Sequence, residues 1–97
     1  MLPKKLDYFV TAARMSLMKA NNNLKQKYKT AEELTELAVE ILHSEVKENR
    51  TEIVYEMADV YNMLEQIKLM YNITEREINE ARTEKLDRFL NSKNPYR

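Results

Sequence analysis

The chain contains no glycine, and its two prolines, Pro3 and Pro95, stand near the extreme ends of 97 residues. Tight β-hairpins and phosphate-cradling loops draw on glycine for positive φ and close backbone approach, which excludes P-loop and Rossmann nucleotide sites. Long side chains of high helix propensity dominate instead. The expectation is an all-α protein. A length of 97 residues suits one domain, 1–97, with a single core.

Apolar spacing and capping signals divide the chain into four predicted helices, near residues 4–28, 31–45, 50–71 and 75–90. Leu6, Phe9, Val10, Ala13, Leu17, Ala20, Leu24 and Tyr28 recur at helical spacing in the first, with Asn21-Asn22-Asn23 a point where it can kink or end early. Thr30-x-x-Glu33 has the form of a capping box opening the second helix, whose apolar face is Leu34, Leu37, Ala38, Ile41 and Leu42. A turn lies within 44–50, with Asn49 or Thr51 as cap for the third helix, which carries Ile53, Met57, Val60, Leu64, Ile67 and Tyr71. Asn72-Ile73 is a short connection, and a second capping box, Thr74-x-x-Glu77, opens the fourth helix with Ile78, Ala81, Leu86 and Phe89. Short connections imply an antiparallel four-helix protomer. The apolar arc of the second helix spans roughly 200° on a helical wheel, wider than one partner helix covers. A helical-bundle homodimer or homotetramer is therefore expected.

Basic and acidic residues balance at 16 each, so no net charge draws the chain to nucleic acid or to an anionic membrane. Cysteine is absent, which excludes disulfides, zinc–thiolate sites and thiol nucleophiles. No apolar run reaches membrane-span length, and MLPKKLDYFV lacks a signal peptide's apolar stretch, so a soluble, cytoplasmic protein is expected.

Two acidic pairs give the chain a candidate chemistry. Glu33-x-x-Glu36 and Glu56-x-x-Asp59 each place two carboxylates on one helix face. At ~100° per residue, Glu56 falls inside the apolar stripe of the third helix, between Val60 and Met63, and Asp59 at its edge. Glu36 with Glu56 and Glu33 with Asp59 both centre on Val46, within the predicted turn, so a hairpin brings all four to one level. Four hard oxygen donors suit Mg²⁺, and Mg²⁺ suits chemistry on phosphates. Other readings compete. Glu33 equally serves as the capping-box glutamate, Glu36 reads alone as a solvated flank, and Glu56 could be satisfied by Lys85 or Arg88. Lys85, on the apolar stripe of the fourth helix, and Arg88 at its edge could meet polyphosphate oxygens, with Asn91 one turn on; the alternative is stems that pack while the heads stay in water. Glu40-x-x-His43 matches the motif of di-iron bundles, but His43 points away from the apolar stripe and reads as a surface histidine.

The stretch EELTE (32–36), followed by EMAD (56–59) and KLDR (85–88), resembles the signature of the all-α nucleoside triphosphate pyrophosphohydrolases, the superfamily of MazG, the dimeric dUTPases and the phosphoribosyl-ATP pyrophosphohydrolases. EMADVYNMLEQIKLMYNI is similar to the short, single-domain MazG-like proteins of phages and low-GC bacteria. The resemblance spans roughly residues 31–90. It implies that Glu33, Glu36, Glu56 and Asp59 hold Mg²⁺, or Mn²⁺ in its place, that Glu33 or Glu36 activates water, and that Lys85, Arg88 and Asn91 contact the substrate. The implied reaction converts a (d)NTP to a (d)NMP and pyrophosphate. The chain lacks the tryptophan that such proteins often carry in the base pocket, so the base stays open. A non-catalytic helical interaction module on the same scaffold is the alternative, with a di-iron carboxylate bundle a third reading.

Overall fold

The computed structural model describes residues 5–45 and 48–92, with side chains from Tyr8 onward. It contains four helices, α1 (Lys5–Ala20), α2 (Asn23–His43), α3 (Arg50–Tyr71) and α4 (Glu75–Asn91), and no strand among the described residues. Lys4, Val46 and the tail from residue 93 lie outside this set.

Asparagine does the work that glycine does elsewhere. The left-handed positions among the described residues are Asn21, with φ 48°, and Asn72, with φ 53°, a region asparagine enters at lower cost than other side chains. Asn21 ends α1, and the extended Asn22 caps α2 by accepting the Lys25 N–H at 3.0 Å. The expected 4–28 helix is therefore two helices. Thr30 consequently lies inside α2 rather than at its start; its hydroxyl donates to the Gln26 carbonyl at 2.8 Å, and no capping box forms at Glu33. The asparagine triplet outcompetes Thr30 as a start signal because one residue leaves the helical region and the next supplies the cap. At the end of α3 the N–H of Asn72 bonds the Leu69 carbonyl at 3.3 Å and that of Ile73 bonds Lys68 at 2.8 Å, the paired closure of a left-handed helix end.

The capping box at Thr74 and Glu77 forms as expected. Hydrogen bonds from the Thr74 backbone and hydroxyl hold the Glu77 carboxyl below its usual range. A depressed folded pKa stabilises above the unfolded value and is lost as pH falls through the folded one. Acidification below pH 4.5 should thus unwind the start of α4 before any general loss of helix. In a Glu77→Gln variant, followed by circular dichroism, that early acid phase should disappear.

α2 packs most extensively on α3, and α1 lies mainly on α3 with a smaller contact to α2. Gln26 of α2 bonds Gln66 of α3 at 2.7 Å, two residues at similar distances from the connection, and Glu40 of α2 receives Asn49 from the end of that connection. Asn49 stands at the start of α3 but forms no side-chain cap. Its amide turns inward, only 2% exposed, and donates to the Glu40 carbonyl at 2.8 Å and carboxylate at 2.7 Å. It thereby clasps the end of α2 to the beginning of α3. Removing it strands a partly buried carboxylate and carbonyl, so Asn49→Ala should cost about 1–3 kcal/mol, read as a lower urea midpoint at unchanged slope.

Buried apolar side chains among the described residues are few: Ala13, Val60 and Met63. Thr30, Glu33, Asn49 and Gln66 are buried beside them, so the α2–α3 seam is substantially polar. Much of the expected core face stays exposed, with Leu34 at 45%, Ile41 at 50%, Leu42 at 72% and Leu64 at 41%. α4 accounts for part of this, because it does not pack against α1, α2 or α3 and leaves Leu86, Phe89 and Leu90 exposed. An ion pair between Lys68 and Glu75 ties it to the end of α3. The radius of gyration, 16.3 Å, exceeds the value of about 13 Å for a compact chain of this size.

Candidate metal centre

The packing of α2 on α3 brings Glu33, Glu56 and Asp59 together, each offering one carboxylate oxygen, with these atoms all within 4.8 Å of one another. Glu56 and Asp59 share a face of α3 by their three-residue spacing, and the α2–α3 contacts set Glu33 opposite them. The three differ in exposure: Glu33 is buried, Glu56 half-buried and Asp59 open to solvent. Solvent can therefore enter from the Asp59 side while Glu33 forms the floor.

Two atoms decide what this cluster is suited to. Glu33 Oε2 and Glu56 Oε2 are buried and have no hydrogen-bond partner. A buried carboxylate oxygen without donor or cation is costly, and two aimed into one space add mutual repulsion. A hard divalent cation satisfies both atoms and brings the required positive charge. The all-oxygen donor set fits Mg²⁺ or Mn²⁺ and offers no nitrogen or sulfur to a softer ion. Glu33 Oε1 is already engaged by the Lys29 ammonium at 3.1 Å.

Glu36, the fourth expected carboxylate, is exposed and stands outside this trio. The charge of Glu33 beside it, ahead of partial desolvation and the charge of Glu56, raises its carboxyl above the usual carboxylate range. It neighbours the cluster electrostatically.

Lys85, Arg88 and Asn91 are exposed on α4 and line one shallow concavity with Ser92. Since α4 packs on no other helix, the structure does not bring them to the carboxylates. Arg88 pairs with Glu84 one turn back. Neither Lys85 nor Arg88 forms an ion pair with Glu56 among the described residues, so that alternative for Glu56 has no support here. His43 is exposed, and the Glu40 carboxylate is taken up by Asn49, which leaves the di-iron motif unassembled.

Sequence reasoning missed the cleft next to the cluster. Gln26, Tyr28, Lys29, Met63 and Gln66 line it. Gln66 is 5% exposed and accepts the Gln26 amide, so a buried amide pair forms one wall. Its position on the buried face, between Met63 and Met70, was the signal available: a glutamine inside an apolar stripe needs a partner.

Comparisons of the chain with protein-family models, with curated proteins and with solved structures find no match.

Proposed function

We propose that this protein is a divalent-ion-dependent nucleoside triphosphate pyrophosphohydrolase that converts a (d)NTP to a (d)NMP and pyrophosphate. The observation that carries the reading is the convergence of Glu33, Glu56 and Asp59 with two buried, unpartnered carboxylate oxygens. The resemblance of EELTE, EMAD and KLDR to the MazG-like pyrophosphohydrolases supplies the reaction class. Glu33, Glu56 and Asp59 would hold Mg²⁺ or Mn²⁺, with Glu36 contributing from the rim. A divalent ion there supplies charge neutralisation for polyphosphate oxygens and lowers the pKa of a water.

The chain's own groups then divide the remaining work. Glu36, with its raised carboxyl pKa, is the base that takes a proton from the attacking water. The new P–O bond forms as the α–β anhydride bond breaks, and the electron pair leaves with pyrophosphate. Lys85, Arg88 and Asn91 are assigned to the phosphates, a role that requires α4 to lie against an α2–α3 face of its own or a second copy. Such an arrangement is the antiparallel bundle, as a homodimer or homotetramer, and exposed Leu34, Ile41, Leu42, Leu86 and Phe89 support it as uncovered apolar surface. No helix among the described residues is long and apolar enough to cross a membrane, and we place the protein in the cytoplasm.

A panel of ribo- and deoxyribonucleoside triphosphates incubated with Mg²⁺ tests the reaction. Equal amounts of monophosphate and pyrophosphate, abolished by a chelator, are expected. Absence of product across the panel would favour the alternative of a non-catalytic interaction module, for which the same exposed apolar surface would be the binding face, whereas a diphosphate with orthophosphate would contradict cleavage at the α–β anhydride.

A further inference from the structure

We propose that Lys29 is a tethered counter-ion of the acidic cluster, displaced by an arriving divalent cation, and that the displaced ammonium then serves the adjoining cleft as a contact for phosphate oxygens. The inference rests on the divalent-ion reading of the cluster and adds a coupling between ion and ligand.

Two observations converge on this residue. Its ammonium lies 3.1 Å from Glu33 Oε1, and the Glu33 side chain is only 9% exposed, so the pair is more than a surface contact. The same side chain lines the cleft walled by Gln26 and Gln66, where Lys25 is a second basic group. Lys29 thus belongs to both the cluster and the cleft.

The exchange follows from charge and reach. One ammonium engages one oxygen of Glu33 and leaves Glu33 Oε2 and Glu56 Oε2 without partners. A divalent ion engages several oxygens at once and repels a neighbouring monovalent cation bound to the same carboxylate. Lys29 is half-exposed, with a flexible four-carbon stem, so its head can turn without any backbone movement. Two destinations face it. Glu32, 3.9 Å away, would recapture it, whereas a polyphosphate in the cleft would hold it by charge-assisted hydrogen bonds. We assign the second, because a polyphosphate bound to the ion would extend its own anionic oxygens towards the cleft.

Mn²⁺ titration followed by water-proton relaxation, with tripolyphosphate as the anion, tests both halves on the full chain. Lys29→Met retains an unbranched stem and removes the charge. Its Mn²⁺ dissociation constant should fall about tenfold, the worth of one charge-assisted hydrogen bond. Its affinity for tripolyphosphate in the presence of Mn²⁺ should weaken by at least about tenfold, and Lys29→Arg should restore it. Unchanged Mn²⁺ affinity in Lys29→Met overturns the counter-ion role, and unchanged tripolyphosphate affinity overturns the second role. If neither wild type nor variant binds Mn²⁺, this inference falls together with the metal centre; if both bind it equally, the centre stands and only the Lys29 exchange is lost. Matching helical circular dichroism between wild type and variant shows that the comparison is between folded proteins.

Discussion

Replacing Glu56 with Gln is expected to abolish pyrophosphate release, by at least about a hundredfold, while leaving the metal-free protein as stable as before or more so. The two halves of this result come from one cause. Glu56 Oε2 is buried without a partner, close to Glu33 and Asp59, so its charge serves an ion and opposes folding when no ion is bound. Glutamine keeps the shape and removes the charge. A structural ion pair predicts the opposite. Cutting one partner from a buried pair typically costs about 3–5 kcal/mol, and the protein would melt earlier. Activity and metal-free melting temperature, measured on this one variant, separate the two. An active but strongly destabilised Glu56→Gln protein would contradict the account.

The second large effect is that of the ion on the fold. A ligand that binds only the native state at a hundred times its dissociation constant stabilises by about 2.7 kcal/mol. For a domain of this size that corresponds to a rise in melting temperature of roughly 10–20 °C. Saturating Mn²⁺ should produce a rise of this order in wild type and little in Glu56→Gln. Ca²⁺ and Mg²⁺ allow selectivity to be read in the same way, since Mg²⁺ demands near-octahedral geometry and Ca²⁺ tolerates more ligands. A melting temperature indifferent to all three ions would leave the buried carboxylates without their proposed partner.

The helix count and the meeting of Glu33 with Glu56 and Asp59 were legible in the sequence for a simple physical reason, whereas Glu36, expected opposite Glu56, stands outside the trio. With no glycine and no internal proline, local propensity has little to override it, and α3 runs over Arg50–Tyr71 as its stripe requires. Equal spacing from a short turn was enough to place Glu33 across from Asp59. Two things were not legible. At Thr30, two local signals competed, and pattern alone does not rank a capping box against an asparagine pair that both ends one helix and caps the next. The path of α4 depends on tertiary contacts that its amphipathic pattern cannot supply. Ile78, Leu86 and Phe89 announce a face that wants cover, yet the pattern does not name the covering surface. Lys85 and Arg88 consequently stand away from the carboxylates, although their spacing along α4 is as expected. Asn49 and Gln66 were hidden by type, since polar residues near a turn or within a stripe do not declare which carbonyl, carboxylate or amide they will meet.

The central claim is that Glu33, Glu56 and Asp59 form one divalent-ion site. Counting bound Mn²⁺ by electron paramagnetic resonance, in wild type and in Glu33→Gln, Glu56→Gln and Asp59→Asn, tests it most directly. The account predicts one specific ion per chain in the wild type and its loss or severe weakening in each variant, with helical content retained. A wild type that binds no Mn²⁺, or three variants that bind it as well as the wild type, would contradict it.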